Sequence, residues 1–98
     1  MIFERGSGTQ VLTTSGVVGA SGKPTRVFCV HIVSAGTAGN ATLKNGTTTA
    51  GTASVEYLAT INTGTTFTAE GTGIYFPNGC FASFDANVTR CVVTYTNL

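Results

Sequence analysis

Charged residues are scarce in this sequence. Lysine, arginine, aspartate and glutamate make up 9% of its 98 residues, against about 25% in an average soluble domain, and the formal net charge is +1. A basic stripe that could follow a phosphate backbone is therefore missing, and nucleic acid is not an expected partner. Because so little charge keeps the chains apart in solution, the composition favours a protein that works inside an assembly.

The sequence also lacks a long apolar run and the marks of secretion. No stretch approaches the roughly 18 apolar residues of a membrane-spanning helix, so we expect no contact with a membrane. The first residues, Met-Ile-Phe-Glu-Arg, are not followed by the apolar segment of a signal peptide. The cysteines Cys29, Cys80 and Cys91 are odd in number, and we expect free thiols in a protein made in a cytoplasm.

Helical periodicity is absent as well, and strand-like segments take its place. Short runs of Thr, Val, Ile and aromatic residues are separated by Gly, Pro and Asn. Without tryptophan, the Cys–Trp–Cys arrangement of an immunoglobulin domain is missing. We predict an all-β fold: a compact antiparallel β-sandwich, jelly-roll-like, with about eight strands. A single domain over residues 11–98 would follow an N-terminal arm or edge strand at residues 1–10.

The clearest predicted strand is Arg26–Ser34. Its apolar side chains occupy both alternating sets of positions: Phe28, Val30 and Ile32 in one, Val27, Cys29 and Val33 in the other. Since successive side chains of a strand point to opposite faces, we expect this strand to be covered on both. The core would cover one face and a neighbouring subunit the other.

A tight hairpin is predicted at Asn45–Gly46. This dipeptide suits the two central positions of a type I′ turn, which require positive φ. Strands over residues 41–44 and 47–49 would flank the turn.

Few side chains offer metal or phosphate chemistry. His31 is the only histidine, and with Cys29, Cys80 and Cys91 it supplies four potential ligands, but the paired spacing of a structural zinc site is missing. Gly19–Lys23 has part of a phosphate-binding loop pattern. Proline follows the lysine, however, and the next segment is a predicted strand instead of a helix. A turn is the better interpretation.

The candidate catalytic residues also lack the sequence spacing of a known type of active site. The cysteines, His31 and Asp85 have the residue types of a nucleophilic triad but no flanking signature. Glu56, Glu70 and Asp85 show no spacing that would direct two carboxylates to one site. We therefore expect a protein that is not an enzyme, with no catalytic residue, no metal, no cofactor and no small-molecule substrate.

Three stretches of the chain resemble a class of short, Thr/Gly-rich virion proteins of tailed phages. They are HIVSAGTAGNATLKNGTTTAGT, GTGIYFPNGCFASFDAN and VTRCVVTYTN. The resemblance implies a β-sandwich subunit that decorates or cements the exterior of a phage capsid, often as a homotrimer. The implied partners are the major capsid protein and copies of the chain itself, and no catalytic residues come with the family.

The N-terminal residues are a candidate partner contact. Ile2 and Phe3 offer an apolar anchor, and Glu4 and Arg5 beside them could set its register on a neighbouring subunit.

Two alternative functions remain open. A phage tail, adaptor or fibre module needs the same rigid, weakly charged scaffold. A carbohydrate-binding module for attachment to the host surface is the other alternative, and an exposed row of aromatic side chains would favour it. The candidates for such a row are Tyr57, Tyr75, Phe76 and Phe81.

Overall fold

The computed structural model describes residues 8–59, 64–69, 71 and 73–97, without the side chains of 54, 55 and 57–59. These residues contain nine β-strands. The strands are β1 (Gly8–Leu12), β2 (Gly16–Val18), β3 (Thr25–Ser34), β4 (Gly39–Asn45), β5 (Thr52–Ala59), β6 (Gly64–Thr68), β7 (Ile74–Phe76), β8 (Cys80–Phe84) and β9 (Val88–Asn97). They coincide with the segments rich in β-branched and aromatic residues. These residues contain no helix.

The strands form two antiparallel sheets that pack face to face. Sheet 1 has the order β1-β9-β3-β6, with β7 pairing a further part of β3, and sheet 2 has the order β2-β8-β4-β5. The buried side chains of both sheets form one cluster between them. The predicted all-β antiparallel sandwich is therefore confirmed. About eight strands were predicted, and the described residues contain nine, because β6 and β7 pair with different parts of β3.

A β-bulge in β3 changes which of its side chains face the core. The register against β9 shifts between Val27 and Cys29, where Phe28 is the extra residue. The buried positions change from odd to even numbers there: Thr25 and Val27 before the bulge, Val30, Ile32 and Ser34 after it. The sequence pattern assigns Val27 and Val30 to opposite faces of the strand, because one position is odd and the other even. That prediction is wrong for Val27, which lies on the inner face together with Val30.

The core consists of apolar side chains from both sheets, all of them small or medium-sized except Phe76. Sheet 1 contributes Val27, Val30, Ile32, Phe76, Cys91 and Val93, and sheet 2 contributes Val18, Ala41, Leu43, Cys80 and Ala82. None of these side chains is more than 1% exposed. Because alternate residues of a strand point to opposite sides, this inner set also determines which residues face away from the core.

The connection between β4 and β5 differs from the prediction. The strand β4 extends through Asn45, and the loop consists of residues 46–51 instead of a two-residue turn. The predicted strand over 47–49 is part of this loop and forms bends and a turn. Gly46 N donates a hydrogen bond to Gly79 O at 2.9 Å. Contact with a neighbouring loop therefore takes the place of the type I′ turn.

A side-chain amide closes the side of the sandwich where β1 and β2 lie. Gln10 Nε2 donates to Val17 O at 3.0 Å, and its Oε1 accepts from Gly19 N at 2.7 Å. Val17 O belongs to the edge strand β2, and Gly19 N directly follows that strand. Without Gln10, both backbone groups would lack a hydrogen-bond partner. Since Gly8 pairs with Tyr95, residues 8–10 belong to the sandwich as part of an edge strand.

Candidate interaction surface

Two rows of side chains cross the side of sheet 1 that faces away from the core. The strand register places Val11 beside Val92, Val92 beside His31, and His31 beside Thr66. The second row, two residues along each strand, consists of Thr9, Thr94, Cys29 and Thr68. We call these eight side chains the outer rows. All of them are half-buried or exposed, and Val11 is 56% exposed.

Six of the eight side chains of the outer rows are Val or Thr, and the other two are Cys29 and His31. A β-branched side chain has a restricted χ1 angle, so it loses little conformational entropy when a neighbour covers it. The hydroxyls of Thr9 and Thr94 lie 3.4 Å apart, within reach of each other across β1 and β9. Apart from Cys29 and His31, the surface therefore consists of stiff side chains without an ionisable group, which suits a protein contact that excludes water.

His31 is held in a fixed position within the outer rows. Its Nδ1 lies 2.6 Å from Thr66 Oγ1 on the neighbouring strand. Its ring also lies against Gly64, where an added Cβ would approach Cε1 and Nε2 to 2.7 Å. The absence of a side chain at Gly64 thus leaves the room that the imidazole occupies. His31 acts here as a hydrogen-bonded surface residue.

Charged groups on this side of sheet 1 flank the outer rows, towards the two ends of β3. Arg26 stacks on Tyr75, with its guanidinium carbon 4.8 Å from the ring centroid, and Tyr75 is 46% exposed. Arg90 lies beside Val33 at the opposite end of β3. Both charges are positive, and the acidic residues whose positions are described, Glu56 and Asp85, lie on β5 and after β8. A neutral or acidic partner surface would complement this arrangement.

The three cysteines are free thiols in different environments. Cys29 is half-buried in the outer rows, whereas Cys80 and Cys91 are fully buried in the core. Burial raises the pKa of Cys80 to about 12, with a further contribution from Cys91, and burial raises the pKa of Cys91 to about 11. Both buried thiols therefore stay protonated at neutral pH, the form that is neither a nucleophile nor a metal ligand.

The structure does not bring the other candidate site residues together. His31 lies on the outer side of sheet 1, while Cys80 and Cys91 face the core. Asp85 follows β8 and accepts hydrogen bonds from the backbone of Asn40 and Asn87. Among the residues whose positions are described, no group of three His, Cys, Asp or Glu residues could hold a metal ion. Gly19–Lys23 connects β2 to β3 as bends and a turn.

The candidate aromatic residues do not form an exposed row within the described side chains. Phe76 is fully buried in the core. Tyr75 lies on sheet 1, and Phe81 is half-buried on the outer side of sheet 2. The side chain of Tyr57 lies outside the described part.

The predicted N-terminal contact lies outside the described residues. Ile2, Phe3, Glu4 and Arg5 precede β1, which begins at Gly8.

No family model, curated protein or solved structure matches the chain. Within residues 8–59, 64–69, 71 and 73–97 there is also no helix long and apolar enough to cross a membrane.

The sequence reasoning missed the outer rows. In β9, Cys91 and Val93 alternate with Val92 and Thr94, which signals two faces. The same alternation leaves open which face is buried and which strands are neighbours. Pairing with β1 and β3, which are distant in the chain, is what assembles the rows.

Proposed function

We propose that this protein is a structural subunit that binds other protein subunits through the outer rows of sheet 1, and that it decorates a phage capsid shell. The observation that carries the proposal is the stiff surface of the outer rows, which contain no Lys, Arg, Asp or Glu and are flanked by Arg26 and Arg90. The virion setting rests on the resemblance of three stretches of the chain to small Thr/Gly-rich phage proteins. The expected partners are the major capsid protein and, in a trimer, two further copies of the chain.

The strand order supports a fold suited to this role. We interpret the orders β1-β9-β3-β6 and β2-β8-β4-β5 as a jelly roll, with β7 as an addition to the edge of sheet 1. A jelly roll leaves four edge strands, and edges in a particle subunit must be short, capped or covered by a neighbour. Gln10 caps part of one edge, and cyclic symmetry would cover others.

Binding through the outer rows has a defined salt dependence. Apolar and hydroxyl contacts are weakened little by salt, whereas surface ion pairs are screened. Attachment should therefore survive molar salt. Many weak contacts repeated by symmetry on one shell would add up to strong attachment.

The proposal can be tested by co-sedimentation with undecorated phage shells at low and high salt. We expect the intact chain to pellet with the shells at both salt concentrations. Val92→Arg places a charge in the centre of the outer rows and should weaken attachment at least about tenfold. Val17→Arg makes the same change on the outer side of sheet 2 and serves as the matched control. An intact chain that stays in the supernatant at both salts and runs as a monomer in light scattering would overturn the proposal.

A truncation tests the N-terminal contact separately. Because residues 8–10 belong to β1, the deletion should remove residues 2–7 only. We expect the truncated chain to keep its melting temperature and to bind shells more weakly, since the apolar anchor at Ile2 and Phe3 is lost. Equal binding of truncated and intact chains would assign attachment to the sandwich alone.

A further inference from the structure

An open cavity of about 220 Å³ lies at one end of the sandwich. It is formed between the β1–β2 loop and the turn that follows β8, away from the outer rows. Its lining residues are Thr13, Thr14, Ser15, Phe84, Asp85, Ala86 and Val88. We propose that this cavity binds a single pyranose ring, such as the terminal sugar of a glycan.

The hydroxyl groups of the cavity are arranged to contact a polyhydroxylated ligand. Thr13, Thr14 and Ser15 are consecutive and exposed. Within the described part of the structure, the hydroxyls of Thr13 and Thr14 have no hydrogen-bond partner. Each can donate one hydrogen bond and accept two, which matches the mixed donor and acceptor character of a sugar hydroxyl.

Asp85 presents a fixed carboxylate on the opposite wall. Its Oδ2 accepts from Asn40 N at 3.1 Å, and its Oδ1 accepts from Asn87 N at 3.0 Å. Each carboxylate oxygen keeps free acceptor capacity, because an ionised carboxylate accepts about four hydrogen bonds in total. Two adjacent hydroxyls of a sugar could therefore donate to this group without any rearrangement of the turn.

The remaining walls are rigid and apolar. Ser15 Oγ accepts from Phe84 N at 3.0 Å and donates to Phe84 O at 3.2 Å, which ties the β1–β2 loop to the end of β8. Phe84 is half-buried and Ala86 is exposed, so both supply carbon surface, whereas Val88 is nearly fully buried beneath them. A pyranose has both a hydroxyl rim and C–H faces, so it can use both kinds of wall at once.

The cavity has room for about one sugar ring. Its volume is below the roughly 300–1,000 Å³ of sites for drug-sized ligands. The cavity is open to solvent, so the rest of a glycan could extend outward from the bound ring. A ligand of this size held by a few hydrogen bonds should have a dissociation constant on the order of 1 mM.

NMR titration of the ¹⁵N-labelled chain tests the inference directly. The probes are D-glucose, D-galactose, D-mannose, L-rhamnose and N-acetylglucosamine, each up to about 50 mM, which lies well above the expected dissociation constant. We expect saturable amide shifts at residues 13–15 and 84–88 with at least one of them. The acyclic polyol sorbitol should bind more weakly, because it must lose conformational entropy. If none of the five sugars gives saturable shifts at these residues, the inference is wrong.

Variants distinguish this cavity from other binding modes. Thr14→Val and Asp85→Asn should each raise the dissociation constant at least about threefold, since each removes hydrogen-bonding capacity. Ala86→Tyr should fill the cavity and abolish binding. Thr49→Val, in the loop at the opposite end of the sandwich, is the matched control and should bind as the unaltered chain does. Unchanged binding by folded Thr14→Val and Ala86→Tyr would overturn the inference. Titration with the methyl glycoside of the tightest-binding sugar distinguishes two sources of the ligand. The methyl glycoside imitates the terminal sugar of a glycan, so its binding indicates a glycan, whereas its failure to bind indicates a free reducing sugar.

Discussion

The outer sides of the two sheets differ in where they carry charge. On sheet 2, Lys44 and Glu56 lie on the adjacent central and edge strands β4 and β5. The ammonium group of Lys44 donates to Thr49 O at 2.7 Å. On sheet 1 the central positions are Val, Thr, His and Cys, and Arg26 and Arg90 lie at the ends.

This difference shows that the inner and outer faces of a sheet are under separate physical constraints. The inner faces of both sheets meet the same requirement, since their side chains are fully buried in one core. The outer faces have no such shared requirement, so each can specialise. We attribute the absence of Lys, Arg, Asp and Glu from the outer rows of sheet 1 to the proposed protein contact, and the presence of Lys44 and Glu56 on the outer side of sheet 2 to contact with solvent.

The largest expected effect concerns the inner faces, which should respond alike. Ile32→Ala on sheet 1 and Leu43→Ala on sheet 2 both remove fully buried side chains. We expect each to lower the free energy of unfolding by about 2–5 kcal/mol, from lost burial and the cavity left behind. Urea denaturation of both variants checks this. A loss below about 1 kcal/mol for one of them would show that its sheet contributes little to the core.

A second prediction uses the buried thiols, one on each sheet. The pKa of Cys80 is raised to about 12 and that of Cys91 to about 11, from an ordinary value of 9.0. Above pH 9 the unfolded chain releases these protons while the folded chain retains them, so stability is full below pH 9 and falls between pH 9 and about 12. Each thiol should contribute a slope of about 1.4 kcal/mol per pH unit.

The control for this pH dependence is the double variant Cys80→Ala/Cys91→Ala. Its unfolding free energy, measured by denaturant titration at several alkaline pH values, should decline less steeply than that of the unaltered chain. Equal slopes would mean that other groups cause the alkaline loss of stability.

A third prediction compares loops at the two ends of the sandwich. Gly46 has a φ of +148°, and an added Cβ would lie 3.3 Å from Gly51 Cα. We expect Gly46→Val to destabilise the fold by about 1–3 kcal/mol, because a β-branched residue is strained at this φ. Gly36 has open space around it, so Gly36→Val should change stability by less than about 0.5 kcal/mol. Thermal unfolding of both variants measures the contrast, and equal melting temperatures would refute it.

The smallest effect expected is a difference in thiol labelling. In the folded chain, Cys29 on the outer rows should react with a thiol reagent, while Cys80 and Cys91 should not. In denaturant and without reductant, all three should react. Mass spectrometry of the labelled peptides reads out each site. Rapid labelling of Cys80 or Cys91 in the folded state would contradict the buried core.

Much of the fold could be predicted from the sequence because its signals are local. Most segments rich in Thr, Val, Ile and aromatic residues formed strands, and Gly, Pro and Asn separated them, but the threonines at 47–49 formed a loop. The hairpin at Asn45–Gly46 was predicted with the wrong turn. Its geometry depends on Gly79, a loop residue distant in the chain, and no dipeptide preference contains that information.

The candidate sites were less accessible to sequence reasoning. The outer rows combine residues of four strands, and the cavity combines loop 13–15 with the turn after β8. Neither set is contiguous, and Thr is so common in this chain that no single Thr stands out.

The sequence by itself determined an all-β chain with little charge, free thiols and alternating strand faces, because propensity and two-residue periodicity act between near neighbours. Only the tertiary structure decided which face is inside. The bulge at Phe28 shows this, since apolar residues of both parities turned out to share one inner face around it. Strand pairing between distant segments sets the register, and the register decides which side chains meet on the outer surface.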